Sequence, residues 1–277
     1  MRMLHGHIRA FVNQIDTLES LNLVNDFTSY LKDKGLSSKT ILDYRGIFIK
    51  VLEYAENEGL VLNIPKNYIK LKNQQQTITV LSIKEQQLLR RYSEENLSVY
   101  TIAVLIALYM GLRIGEICAL LWSDIDLENG IISITKTMQR IKNNNENADK
   151  KTEIIIDKPK THKSIREVPI PKFIVSILKK IKPQDANEYL ISLKPGNFIE
   201  PRQLQRKYKS ILKETGIRHV NFHNLRHTFA TRWVERNIDI KALSEILGHA
   251  NVETTLRMYV HPTMETKRAD IEKIAKI

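Results

Sequence analysis

The chain reads as a mostly α-helical protein with a small antiparallel β-sheet: a helical front domain followed by a larger, mixed α+β domain. Three observations predict this. Apolar residues recur at helical spacing over most of the chain, as in KTILDYRGIFIKVLEYAENEG and VYTIAVLIALYM. Alternating, β-branched runs are confined to one stretch between Ile131 and Pro171. A polar segment without helical period, KNQQQTITV (Lys72–Val80), separates the two parts. We therefore expect a helical domain over residues 1–72, a linker over 73–80 and the mixed domain over 81–277.

In order along the chain, the pattern predicts a helix over Val24–Lys34, ended by Gly35. The next helix begins at Ser37 or Ser38, both good N-caps, with Ile41, Tyr44, Ile47, Val51 and Ala55 on one stripe and Gly59 as its stop. Ser82 and Glu85 form a capping box ahead of a further helix. An apolar helix over Val99–Met110 ends at Gly111, and Arg113 starts a short helix after it. Cys118, in the apolar run of that helix, reads as buried filler. Ile131–Thr137, Thr152–Pro159 and Ser164–Pro171 read as strands. The polar KNNNENADKK lies between the first two, and Lys160-Thr161-His162-Lys163 forms the hairpin turn between the second and third. Helices follow at Phe173–Lys180 and Leu204–Gly216. Arg202, Arg206, Lys207 and Lys209 cluster on or before the latter, as nucleic-acid backbone contacts or as a solvated face. ETKRADIEKIAKI makes a short amphipathic helix at the C-terminus.

The 277 residues, 42% apolar, suffice for one large or two ordinary domains with ample core. No apolar run reaches the length of about 18–20 residues that a membrane span needs. The single cysteine leaves no internal disulfide and suits a reducing cytoplasm. Lys and Arg number 43 against 31 Asp and Glu, a net charge of +12 with a pI near 9.6, which favours a polyanionic partner, nucleic acid first. Residues 1–76 hold 10 basic and 8 acidic residues, so the mixed domain carries most of the excess.

The chemistry concentrates in NFHNLRHTFATRWVERNIDIKALSEILGHANVETTLRMYVHP, Asn221–Pro262. His223 and Arg226 stand three apart at the start of a helix-like run, on one face and near free backbone N–H groups, which suits a bound anion. His223 and His227, four apart, could instead be two zinc ligands or solvated polar positions. Gly248 sits where a helix stops in a left-handed C′ position, which presents His249 just past a rigid end. Tyr259 follows ten positions later, after the short helix that VETTLRMY suggests. Each feature alone has an ordinary structural reading. Together they describe a phosphate held between cationic donors and attacked by a phenol. Arg113, in an apolar setting, also needs an anion: either Glu116, three residues on, or a ligand.

These motifs resemble the C-terminal signature of the tyrosine recombinases, the phage integrase family. HNLRHTFAT matches its His-x-x-Arg box, and LGHANVETTLRMY its Leu-Gly-His box and nucleophilic tyrosine. GLRIGEICALLWSDIDL matches the box that supplies the first catalytic arginine, Arg113, with Glu116 orienting it. The resemblance implies catalytic roles for Arg113, Lys160, His223, Arg226, His249 and Tyr259. The family carries its lysine in a β-turn within a Pro-Lys-Thr pattern; Lys160 matches it, with Lys163 a rival. GLSSKTILDYRGIFIKVLEYAENEGL resembles the core-binding domain, which clamps the far side of the DNA. That module usually has another helix upstream, and only about twenty residues precede Asn22 here, so either an abbreviated module or a chain shortened at its front is expected. The resemblance further implies a 3′-phosphotyrosyl intermediate on double-stranded DNA attachment sites, without ATP, cofactor or metal. It also implies a homo-oligomer, a tetramer on DNA, whose C-terminal tails dock on neighbours. Three rival readings stay open at this point: a type IB topoisomerase-like relaxing enzyme, a non-cleaving DNA-binding factor, and a zinc nuclease using His223, His227 and His249.

Overall fold

The computed structural model describes residues 2–14, 22–59, 69, 71, 78–143, 151–158, 162–260, and positions 264, 267–268, 271–272 and 275. The chain divides into two compact units, residues 1–77 and 78–277. Most of the linker stretch, the turn residues 159–161 with Lys160, and most of the C-terminal tail lie outside the described residues.

The first unit holds α1 (Arg2–Val12), α2 (Leu23–Asp33) and α3 (Ser38–Asn57). Ser37 caps α3 by accepting from the Thr40 N–H at 3.2 Å. The core gathers Phe11, Leu23, Val24, Phe27, Leu31, Ile41, Phe48 and Leu52. Phe27 and Phe48 meet with ring centroids 4.4 Å apart. This corrects the apolar stripe expected on α3. Ile41 and Tyr44 face the core, but Ile47 and Val51 are 45% and 48% exposed, and Phe48 and Leu52 take the inward places. The aromatic ring of Phe48 fills the gap between the helices, and the face turns by one residue to admit it. The helix α1, which was not predicted, supplies an element upstream of Asn22 and seats Phe11 in the core.

In the second unit α4 (Ile83–Glu95) starts on the expected capping box. The Ser82 hydroxyl accepts from the Glu85 N–H at 3.2 Å, and the Glu85 carboxylate accepts from the Ser82 N–H at 2.7 Å. Helix α5 (Val99–Met110) is buried almost all round and forms the centre of the main core, as its uninterrupted apolar sequence requires. It ends at Gly111, whose φ of 68° is left-handed; a Cβ there would come within 2.6 Å of the Phe229 ring. The short α6 (Ile114–Ala119) follows, then strands β1 (Ile125–Asp126), β2 (Ile131–Ile134), β3 (Thr137–Lys142), β4 (Thr152–Asp157) and β5 (Arg166–Pro169). Helices α7 (Lys172–Ile181), α8 (Pro201–Glu214), α9 (His223–Glu235), α10 (Ile240–Leu247) and α11 (Val252–Tyr259) complete the described elements.

The sheet pairing differs from the predicted hairpin. β4 pairs with β3, Thr137 opposite Asp157, and β5 pairs with β2, Ile131 opposite Pro169. The described strands thus form two sheets, β1-β2-β5 and β3-β4, and β4 and β5 do not pair with each other. The run expected as one strand, Ile131–Thr137, is divided at Thr135-Lys136 between β2 and β3, which lie in different sheets.

Candidate active site

The site is built at the C-terminal end of α10. Gly248 stops that helix with a left-handed φ of 62°, as the sequence predicts. This leaves the carbonyls of Leu247 and Gly248 free of helical partners, and two guanidiniums take them. Arg226 donates from Nη2 to the Leu247 oxygen at 2.7 Å and from Nη1 to the Gly111 oxygen at 2.8 Å. Arg113 donates from Nη2 to the Gly248 oxygen at 3.2 Å. Consecutive carbonyls thus bring together two arginines that are 113 residues apart in sequence.

The two differ in their surroundings. Arg226, in the first turn of α9, is buried. Burial first, and the Arg113 charge next, lower its pKa to about 9, so it remains a cation at neutral pH. Arg113 keeps about a third of its side chain exposed and donates from Nη1 to Glu116 at 2.8 Å. That carboxylate is 2% exposed, and it also accepts from the Arg113 N–H at 2.9 Å.

A residue that the sequence reading passed over completes this arrangement. Arg166, the first residue of β5, grips Glu116 with both ends of its guanidinium, Nη1 to Oε1 at 3.0 Å and Nη2 to Oε2 at 2.9 Å. It also donates from Nε to the Ile246 carbonyl and from Nη1 to the Ser164 carbonyl. Burial would raise the Glu116 pKa, but the hydrogen bonds and charge of Arg166, with Arg113, outweigh it and hold the carboxyl below its usual range. A signal for Arg166 was available. Strand alternation puts it on the same face as Val168, which is buried, and a cation there requires a partner.

His223 opens α9 and reaches solvent, while His249 lies just past Gly248 and is half-buried. Partial burial is the first cause, and then the neighbouring cations, Arg226 and Arg113 among them, lower both pKa values to about 4. Both imidazoles are therefore neutral at pH 7 beside two cations, a grouping whose charge suits an anion. His249 Nδ1 lies 2.7 Å from the Thr255 hydroxyl, which fixes its ring. Tyr259, the last residue of α11, is 8% exposed and packs with Ala230, Leu243 and Leu247. Its phenol lies 2.6 Å from His227 Nδ1. Burial drives its pKa up to about 12, and Arg226 and Arg113 act against that rise.

Of the six residues expected to be catalytic, Arg113, His223, Arg226, His249 and Tyr259 lie near one another here; Lys160 lies outside the described residues. Its rival Lys163 is exposed and donates to the Ala250 carbonyl at 2.8 Å, one residue from His249. Arg202, Arg206, Lys207 and Lys209 are exposed along one side of α8, while Leu204 and Tyr208 face the core. Cys118 is buried in the core, which pushes its thiol up to about 12. Among the described residues no three His, Cys, Asp or Glu side chains group as metal ligands. No described helix is long and apolar enough to cross a membrane.

Comparison with known proteins places the chain in a family. The model of the phage integrase family matches residues 79–266. A tyrosine recombinase XerC-like protein of Caldanaerobacter subterraneus subsp. tengcongensis is 28% identical, over 97% of this chain and 75% of its own. The integrase of Staphylococcus phage L54a is 26% identical, over 98% and 79%. In fold, the chain resembles the Tn1549 transposon integrase, solved in complex with a circular intermediate DNA, with a TM-score of 0.78 at 21% identity over 98% of this chain and 92% of that one. Because the family model spans well over half of the chain, the chain belongs to the phage integrase family, the tyrosine recombinases, enzymes that cut and rejoin DNA strands.

Proposed function

We propose that this recombinase integrates or excises a mobile element, with Tyr259 as nucleophile. The phenol attacks a scissile DNA phosphate, and the P–O bond to the 5′-oxygen breaks. A 3′-phosphotyrosyl link and a free 5′-hydroxyl result. Arg113 and Arg226 bind the non-bridging oxygens, since a planar guanidinium matches phosphate bidentately. His223 and His249 add neutral N–H donors. Fixed donors of this kind each lower the barrier by about 2.7–4 kcal/mol in comparable oxyanion sites. Lys160 protonates the leaving oxygen as general acid. The phosphotyrosine keeps the energy of the broken bond, so a 5′-hydroxyl from another duplex reverses the step without ATP.

The observation that carries this reading is the seating of both guanidiniums on consecutive carbonyls, Leu247 and Gly248, beside His249. A protein that only binds DNA has no need of a buried cation paired with a half-buried one and a phenol next to them. The basic face of α8 supports contact with duplex DNA through Arg202, Arg206, Lys207 and Lys209. We further propose that the chain works as a homo-oligomer, a tetramer on DNA, in the cytoplasm, with its C-terminal tail docked on a neighbour.

The test is incubation with a nicked suicide duplex built from the DNA flanking the gene. A covalent protein–DNA adduct that Tyr259→Phe abolishes is expected. Absence of any adduct would leave the non-cleaving binder standing. Relaxation of supercoiled DNA without strand exchange would favour the topoisomerase-like reading. Deletion of the last dozen residues should reduce assembly on DNA in sedimentation, and unchanged assembly would count against tail docking.

A further inference from the structure

We infer that His227, the residue after the second arginine, is the base that takes the proton from Tyr259. This rests on the phosphotyrosyl reading above and assigns a role that the resemblance gave to none of its six residues. His223, at the start of α9, is the alternative acceptor. The geometry favours its neighbour one turn along α9: the phenol's described hydrogen bond, 2.6 Å long, runs to His227 Nδ1. The His223 ring instead meets the edge of the His227 ring, centroids 4.6 Å apart at 90°. His223 thereby supports His227 and stays available as a donor to the phosphate.

The electrostatics suit the role. Groups facing His227 are His223 and Arg226 on its own helix and Tyr259 on α11. Partial burial first, and then the Arg226 charge, lower the His227 pKa, so the ring is neutral at pH 7 and has a lone pair to give. With its own proton on Nε2, Nδ1 accepts from the phenol. Full transfer to this ring before attack is uphill, because burial has raised the phenol to about 12. The proton must therefore move as the oxygen attacks, which is general-base catalysis. In that step the O–H bond of Tyr259 breaks, its proton passes to Nδ1, and the oxygen's electron pair forms the bond to phosphorus. The P–O5′ bond breaks, and the 5′-oxygen keeps that pair and takes up a proton from the general acid. His227 leaves the step as imidazolium. On resealing it returns the proton to the departing phenol, so nothing is consumed. The position on α9 matters as much as the pKa: the packing of α9 on α11 brings His227 and Tyr259 within reach of each other.

The experiment measures single-turnover cleavage of the same nicked duplex by the full chain and by His227→Gln, each with Tyr259 or with 3-fluorotyrosine in its place. Fluorine makes the phenol more acidic and reduces its need for a base. His227→Gln should cleave about 10²–10⁴-fold more slowly while binding the duplex as before. Fluorotyrosine should recover at least about tenfold of that loss, yet change the unsubstituted chain's rate only a few-fold, as expected for a proton already in flight. A rate for His227→Gln equal to that of the unsubstituted chain, with a clear adduct, would overturn the inference and leave the phosphotyrosyl reading intact. So would equal gains from fluorine with and without His227. Should His227→Gln misfold, the fluorine response of the unsubstituted chain decides alone: a gain of tenfold or more means that no base acts. No adduct from the unsubstituted chain would remove both readings together.

Discussion

Glu116 shows how single side chains set the geometry of this site. It is a buried carboxylate held by two arginines, of which Arg113 is about a third exposed and Arg166 is 7% exposed. Removing one partner of such a buried pair strands the other charge and costs about 3–5 kcal/mol. Arg166→Met should therefore lower the unfolding free energy by that order in urea titration, and lower the adduct yield as Arg113 loses its anchor. Arg166→Lys should rescue stability better than cleavage, because an ammonium cannot span both carboxylate oxygens. By contrast, the exposed pair Arg90–Glu94 is worth about 1 kcal/mol or less. The titrating groups give adjoining windows of the same sign, stability rising with pH in each. Glu116 titrates below its ordinary 4.5 in the fold, so its contribution is whole above that pH and is lost as pH falls through the lower folded value. His249 falls from 6.5 to about 4, so in that window the unfolded chain binds protons that the folded chain refuses. Stability should rise with pH from about 4 to 6.5 and then level off. A shallower rise in His249→Gln, measured by urea unfolding across that range, checks the assignment.

Helix ends position the chemistry at the scale of elements. The end of α10 carries three jobs in two residues: Leu247 and Gly248 offer carbonyls to the arginines, and the left-handed turn aims His249. Gly248→Ala would place a Cβ 2.9 Å from Arg166 Nη1 while forcing a left-handed conformation that costs a non-glycine residue about 1–2 kcal/mol. It should lose cleavage well beyond that stability cost, which adduct yield and chemical unfolding measured side by side would show. Ser82→Ala, at a cap remote from the chemistry, should cost about 0.5–2 kcal/mol and leave cleavage of the folded fraction unchanged. Such elements were legible because their cause is local. A serine three residues before a glutamate, or a glycine after an apolar helix, acts on its own backbone. The strand pairing was misread because alternation marks a strand without naming its partner. The α3 stripe was misread because Tyr44, Ile47, Phe48 and Val51 offer two overlapping apolar faces, and only packing against α1 and α2 chooses between them.

For the whole molecule, the excess of twelve positive charges bears on DNA affinity more than on the fold. If the α8 face meets phosphates, Arg206→Ala or Lys207→Ala should weaken duplex binding evenly across sequences. Each should reduce the slope of log K against log salt by about one. A titration series over several salt concentrations measures it, and an unchanged slope would make those residues an ordinary solvated face. By itself the sequence determined the helical character, the caps, the basic balance and the residue types that a phosphate-attacking phenol needs, because each follows from neighbours along the chain. Only the tertiary structure decided which side chains meet. Arg166 reached Glu116 across 50 residues, His227 took the phenol from His223, and β5 chose β2 over β4. Contacts of that kind depend on how separate elements pack, and no local pattern records the packing.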